Sequence, residues 1–273
     1  MNIQTAPIAA SEQVLLRHDT GPIAMLVLNR PPARNSLSEA LLIALVRELR
    51  AIAADRSIRA VVIAANGPVF CAGHDLRELS GRRTDPDGGR GFFAETMARC
   101  SAMMQQIVAL PQPVIAAVQG MATAAGCQFV ASCDLAVAST AAGFATPGVD
   151  IGLFCSTPMV ALSRNIPRKH AMEMLLTGEA LSAEQAASTG LVNRVVPAGQ
   201  ERDAALALAN TIAAKSSHVI GIGKAAFYRQ IELPLAEAYR YASEVMTENM
   251  MLRDAEEGIC AFLEKRDPTW EDR

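Results

Sequence analysis

The chain has 273 residues, 51% hydrophobic and 19% charged, with a formal net charge of −3. That length fits one large domain or a core with a smaller appendage, and a slightly acidic chain with no basic stripe lacks the footprint of a nucleic-acid binder. No apolar run approaches the ~18 residues that a membrane-spanning helix needs.

The opening segment, Met1 to Glu12, has no basic head and no Arg-rich amphipathic character, so no export or transit signal is read there. Val14 to His18 and Ile23 to Asn29 are short β-type runs around Asp19-Thr20-Gly21-Pro22, the turn chemistry of a hairpin. Ser36 followed by Glu39 reads as a capping box, and Leu42, Leu45, Val46, Leu49 and Ile52 predict a helix to about Asp55. Arg59 to Ala65, Val114 to Val118 and Asp134 to Ala138 are short apolar runs of the kind that form buried strands. Helical stretches separate them, so an α/β core is expected. Gly81 to Gly91 has loop composition. Ser182 with Gln185 is a second capping box, and Gly190 stands where a left-handed helix cap belongs. Beyond Pro197 the pattern turns mostly helical, most clearly over Ala204 to Lys215 and Glu237 to Met251, where Met246, Met250 and Met251 read as core or subunit interface.

Six cysteines (Cys71, Cys100, Cys127, Cys133, Cys155, Cys260) include no Cys-x-x-Cys pair, and the four histidines do not cluster with them. A zinc site or disulfide framework is not expected; buried thiols in a reducing cytoplasm are. Gly221-Ile-Gly-Lys224 resembles a phosphate loop only superficially, because His218 and Ala225 stand where that pattern needs Gly and Ser or Thr.

Two segments carry chemistry. Phe70-Cys-Ala-Gly-His-Asp-Leu-Arg-Glu-Leu79 reads as a tight turn at Gly73 entering a helix whose first N–H groups lack internal partners. In Gln119-Gly-Met-Ala-Thr-Ala-Ala-Gly-Cys-Gln-Phe129, small residues follow a strand, and Ala124 and Ala125 open a helix running to about Ser132. Two such helix mouths facing one another would offer two N–H donors to one oxygen, the geometry that stabilises an enolate or a tetrahedral oxyanion.

Together with Leu28-Asn-Arg-Pro-Pro-Ala-Arg-Asn-Ser-Leu37, Cys133-Asp134, Leu176-Thr-Gly-Glu-Ala-Leu-Ser-Ala-Glu-Gln-Ala187, Gly190-Leu-Val and Glu257-Gly-Ile-Cys-Ala-Phe-Leu-Glu-Lys-Arg266, these segments resemble the crotonase (enoyl-CoA hydratase/isomerase) superfamily over nearly the whole chain. The resemblance implies a spiral of ββα units over residues 1–197 and a helical C-terminal region, 198–273, that builds trimers or dimers of trimers. It implies an acyl-CoA thioester as ligand in fatty acid metabolism, with coenzyme A entering as part of the substrate and no permanently bound cofactor. By motif position the oxyanion donors are the main-chain N–H groups of His74 and Ala125, the latter replacing the usual glycine. CoA contacts fall at Pro32, Ala33 and Arg34 near adenine and ribose, at His74, Asp75 and Leu76 along pantetheine and thioester, and at Lys265, which a neighbouring subunit sends to the 3′-phosphate.

The pattern breaks at both hydratase glutamates: Gln128 and Gly148 stand in their places. An amide cannot take a proton near neutral pH, and glycine offers no side chain. Asp150 is the weak candidate for a substitute acid, with a structural role as its plainer reading. The His74 imidazole is expected to face solvent. Two functions follow: an enzyme of the hydratase/isomerase type that leans on the oxyanion hole for isomerisation, decarboxylation or thioester cleavage while hydrating weakly or not at all, or a non-catalytic acyl-CoA-binding or regulatory subunit.

Overall fold

A computed structural model describes residues 13–273; the segment read for a leader, residues 1–12, lies outside the described residues. β1 (Leu15–Thr20) and β2 (Ile23–Leu28) pair antiparallel through Gly21-Pro22, where Gly21 at φ 56 supplies the positive angle that a primed hairpin turn needs. A 3-10 turn, Pro31–Ala33, leads to α1 (Glu39–Ala54). The helix is capped by Ser38, whose hydroxyl accepts the Leu41 N–H, and not by the expected Ser36. The Ser36 hydroxyl is taken by Asp75 and Arg30, so a tertiary partner wins over the local box.

The chain then repeats one unit three times. β3 (Ala60–Ala65) is followed by β4 (Val69–Cys71), α2 (Leu76–Gly81) and α3 (Arg90–Ala109); β5 (Val114–Val118) by β6 (Met121–Thr123) and α4 (Ala125–Ser132); β7 (Leu135–Ser139) by β8 (Gly143–Ala145) and α5 (Pro158–Asn165). In every unit the first strand joins a six-stranded sheet and the second a four-stranded one, which winds the chain into a spiral of ββα turns. α6 (Arg168–Thr177), β9 (Leu181–Ser182), α7 (Ala183–Thr189) and β10 (Arg194–Val196) complete the core. The large sheet runs β1-β2-β3-β5-β7-β10, parallel except at the opening hairpin; the small one runs β4-β6-β8-β9, parallel except at β9.

Strands covered on both faces read as unbroken apolar runs. In β3, Val61, Ile63 and Ala65 face the larger core under α1 and α3, while Ala60, Val62 and Ala64 face α8 (Glu201–Ala213) through Ala205 and Ala209. The capping box of α7 forms in full between Ser182 and Gln185, and Gly190 closes that helix at φ 86. The Gly81 to Gly91 stretch is tied down at its end, where the Asp87 carboxylate accepts the N–H groups of Gly89 (2.9 Å) and Gly91 (2.7 Å) and so caps α3.

α9 (Ser217–Gln230), α10 (Leu235–Met250) and α11 (Arg253–Glu264) finish the chain. Gly221-Ile-Gly-Lys224 lies inside α9, and the Lys224 ammonium is buried 2.6 Å from Asp134 Oδ2 and bonded to the carbonyls of Ile107 and Gln112, so it reaches no phosphate. Met246, Met250 and Met251 are exposed, which removes the core reading of that stretch within one chain. Cys260 is exposed as well, and the other five cysteines are buried and free.

Candidate functional site

The two helix mouths meet. A Cβ added to Gly73 would lie 3.0 Å from the Ala124 Cβ and 3.3 Å from the Ala125 nitrogen, and one added to Gly126 would lie 2.1 Å from the Cys71 carbonyl oxygen. Only glycine permits that approach of the turn after β4 to the start of α4. The direction of the His74 N–H follows from strand geometry. The Gly73 carbonyl accepts the Leu37 N–H (2.7 Å) and the Asp75 N–H reaches the Leu37 carbonyl (3.4 Å), so the amide of His74, between them, points the other way. Ala125 is the first residue of α4, where an N–H has no partner inside the helix.

Ala124 holds the turn at φ 50 and ψ −118, a region close to glycine-only, at a cost of roughly 1–3 kcal/mol. Its N–H donates to the Ala145 carbonyl (2.9 Å), and its own carbonyl accepts the Gln128 N–H (3.0 Å). This residue therefore links the Gly73-His74 turn, α4 and the strand preceding Thr146 and Gly148. Its strain has no local signature beyond a second alanine.

Polar side-chain atoms of these same segments are buried without partners: both imidazole nitrogens of His74, Gln128 Oε1 and Thr146 Oγ1. The expectation that the imidazole faces solvent is overturned, because both ring nitrogens are closed off from it, and burial pushes its pKa below the ordinary 6.5, toward the neutral form. Thr146 was not singled out from the sequence; nothing local distinguishes it. Gly148 is buried, and a Cβ there would meet Cys155 Sγ and the Leu153 carbonyl oxygen, each at 2.9 Å. The loop that carries Cys155 thus occupies the space beside it. Burial drives the Cys127 thiol up to about 12 and raises that of Cys155 against a Gly148 N–H bond. Asp150 is exposed, with its carboxylate lying against Gly178 at the end of α6.

Asp75 caps α2 through the Arg77 N–H (3.1 Å), and its other oxygen is held by Arg30 (3.0 Å) and Ser36 (3.1 Å). Desolvation raises its pKa, but those hydrogen bonds and the Arg30 charge outweigh it and hold the carboxyl below 3.8. Asn35, itself left-handed at φ 52, ties the neighbouring loop down by donating to the carbonyls of Asn66 (2.8 Å) and Val69 (2.7 Å). Since the Arg34 carbonyl accepts the Ala72 N–H (3.0 Å), the exposed Pro32 and Arg34 and half-buried Ala33 sit beside the turn of His74, Asp75 and exposed Leu76. Lys265 is elsewhere, exposed at the left-handed C-cap of α11, and the adjacent Arg266 is spent on a two-pronged bond to Glu257.

Two surface hollows lie apart from these residues. One of about 540 Å³ is lined by Asp87, Arg90 and Phe93 at the start of α3. The other, of about 370 Å³, is backed by Asp134, Lys224 and Tyr228, whose hydrogen bonds to one another leave little to hold a ligand. The convergence of the helix mouths locates chemistry better than either hollow does.

The sequence model of the enoyl-CoA hydratase/isomerase family matches residues 19–273. The chain belongs to that family. Within it, the enoyl-CoA hydratase domain-containing protein 3, mitochondrial, of Rattus norvegicus is 48% identical over 91% of this chain and 81% of its own length. The 2,3-dehydroadipyl-CoA hydratase of Escherichia coli is 35% identical over 92% and 96%. A crystal structure of an enoyl-CoA hydratase from Mycobacterium smegmatis superposes with a TM-score of 0.90 at 52% identity, covering 95% of this chain and 99% of that one. The expectation of a cytoplasmic protein does not stand, since the rat, human and mouse members are named mitochondrial. Buried single cysteines do not tell one compartment from another.

Proposed function

We propose that this enoyl-CoA hydratase/isomerase family member binds an acyl-CoA thioester with its carbonyl oxygen between the main-chain N–H groups of His74 and Ala125, and hydrates enoyl thioesters weakly or not at all. The observation that carries this is the close seating of the Gly73 turn on the start of α4, with the His74 amide turned away from Leu37. Two donors aimed at developing negative charge remain useful without any carboxylate, each contributing ~10²–10³-fold. Hydration also needs groups that move protons, typically ~10²–10⁴-fold, and neither Gln128 nor Gly148 supplies one.

Pro32, Ala33 and Arg34 take the adenine and ribose, His74, Asp75 and Leu76 the pantetheine and thioester. Lys265 of the partner subunit takes the 3′-phosphate in a trimer or a dimer of trimers, as an ammonium point charge suits. Coenzyme A arrives with the substrate. The lack of a carboxylate at 128 and 148 also favours a second reading, a silent acyl-CoA carrier or regulatory subunit. Calorimetric titration with acyl-CoA esters together with a crotonyl-CoA hydration assay tests both. Binding with hydration far below that of glutamate-bearing relatives is expected; hydration at their rate overturns the first reading, and absence of binding overturns both.

A further inference from the structure

We propose that Arg30 is a positioning residue for the candidate oxyanion hole: its guanidinium is the charged end of a chain of two hydrogen-bonded peptide units that aims and polarises the His74 N–H. This rests on the acyl-CoA reading above. It deepens that reading by giving one of the two donors a source of strength outside the ligand contacts.

The chain runs bond by bond from the side chain to the turn. Arg30 Nη1 donates to the Ser36 carbonyl oxygen at 2.6 Å. That carbonyl shares a peptide unit with the Leu37 N–H, which donates to the Gly73 carbonyl oxygen at 2.7 Å. The Gly73 carbonyl in turn shares a peptide unit with the His74 N–H. No peptide bond among the described residues is cis, and in a trans peptide the C=O and N–H point in opposite directions. Each unit therefore accepts on one side and donates on the other, and the series ends on the His74 N–H, which has no acceptor among the described residues. Such chains polarise cooperatively, by about 10–30% per bond, and a bond from a charged donor is roughly twice as strong as a neutral one. The cation stands at the end from which it draws electron density away from the last N–H, and that makes a better donor to a developing oxyanion.

Arg30 is held in this place at both ends. Its N–H donates to Asn35 Oδ1 at 2.8 Å and its carbonyl accepts the Asn35 N–H at 3.0 Å, which folds the loop back so that the side chain reaches Ser36. Its other terminal nitrogen, Nη2, donates to Asp75 Oδ2 at 3.0 Å, and the two side chains are only 21% and 12% exposed, so water competes little for the fork. The guanidinium thereby spans both sides of the bridge between Leu37 and His74, touching the residue before the one and the residue after the other. Rotation of either segment would swing the His74 N–H, so the contacts that polarise the donor also fix its direction. Lysine cannot repeat this, being a point charge without the planar fork.

The donors are read at the thioester itself. Butyryl-CoA, isotope-labelled at the thioester carbonyl carbon, is bound at saturation to wild type, Arg30→Met, Arg30→Lys and Ser36→Ala, and the carbonyl stretch is recorded by infrared difference spectroscopy. Affinity is measured separately by calorimetry and stability by urea unfolding. Hydrogen bonds to the oxygen lower the stretching frequency, so wild type is expected to show a downshift from the free ester. Arg30→Met is expected to lose roughly a tenth to a third of it, the share that cooperative polarisation supplies, and Arg30→Lys to lose part of it. Should Arg30→Met not fold, Arg30→Lys carries the test alone. Ser36→Ala keeps the carbonyl, and with it the chain, while removing the hydroxyl bonded to Arg30 and Asp75. It is expected to keep the wild-type downshift even where its unfolding midpoint falls. A role in packing alone would move the midpoints and leave the frequencies alike. The full wild-type downshift in either folded arginine variant, or a loss in Ser36→Ala as large as theirs, overturns the assignment to Arg30 and leaves ligand binding intact. So does binding by wild type without a downshift. Failure of wild type to bind butyryl-CoA overturns the acyl-CoA reading itself, and this assignment with it.

Discussion

Position 148 shows why a missing carboxylate is not simply a missing carboxylate. A Cβ there would meet Cys155 Sγ and the Leu153 carbonyl oxygen at 2.9 Å, and the Leu153 N–H donates to the Gly148 carbonyl at 2.8 Å. The surrounding loop has closed over the space a side chain would need. One of the two contacts is a side-chain sulfur and can yield; the other is backbone and is pinned. The double variant Gln128→Glu, Gly148→Glu is therefore expected to lose about 1–3 kcal/mol of stability through overpacking and to gain no substantial crotonyl-CoA hydration. Urea unfolding and the hydration assay check the two halves. A stable double variant that hydrates would mean that the 153–155 loop moves aside readily. Gln128 poses the opposite difficulty: it has room, but a carboxylate at its buried position, 4% exposed, would be held partly protonated by desolvation.

The element that positions His74 is the turn into α2, and its anchor is Asp75. Loss of the carboxylate charge in Asp75→Asn weakens bonds to Arg30, Ser36 and the Arg77 N–H, so a cost of about 1.5–3 kcal/mol is expected at pH 7, typical of hydrogen bonds to a charged group. The pH dependence has a definite sign. The folded-state pKa lies below the ordinary 3.8, so the native state binds the proton more weakly than the unfolded chain. The carboxylate's contribution is complete above the unfolded value and fades as pH falls through it toward the folded one. Denaturant midpoints of wild type and Asp75→Asn should lie apart at pH 7 and draw together as pH falls below the ordinary carboxylate value; a gap that stays unchanged on acidification would remove the charge from the account. The same turn marks how far local patterns reach. The hairpin at Gly21, the buried strands and the Ser182-Gln185 box with Gly190 were legible because their partners lie within a few residues in sequence, or because continuous apolar runs demand two covered faces. Ser36 was misread because its hydroxyl answers to Asp75, 39 residues away. The candidate oxyanion turn was legible from Gly73 and the alanines; the buried His74 ring, Thr146 and the filled space at Gly148 depend on strands distant in sequence and left no local trace.

At the scale of the whole molecule, the C-terminal helices remain unfinished in a single chain. On α10, Leu235, Tyr239, Met246 and Met250 recur at helical spacing and are at least half exposed, and on α11 Phe262 is 82% exposed. A soluble chain rarely leaves an apolar stripe of that kind open to water, and burying it between copies is its ordinary fate. α8 is different: its alanines are already used against the large sheet, so the open apolar side chains lie on the helices that follow it. The double variant Tyr239→Glu, Phe262→Glu places charge in the stripe while touching neither His74 nor Ala125. Light scattering is expected to find wild type at a multiple of the 29.0 kDa single-chain mass and the variant at that mass. On the function proposed above, dissociation would have a functional consequence, because Lys265, exposed at the end of α11, is there proposed to meet the 3′-phosphate of a ligand bound to another subunit. A monomeric variant should bind CoA esters more weakly, whereas their dephospho-CoA counterparts, lacking that phosphate, should bind wild type and variant alike. Equal weakening for both ligands would show that the interface shapes the pocket itself and that Lys265 contributes nothing specific to the phosphate.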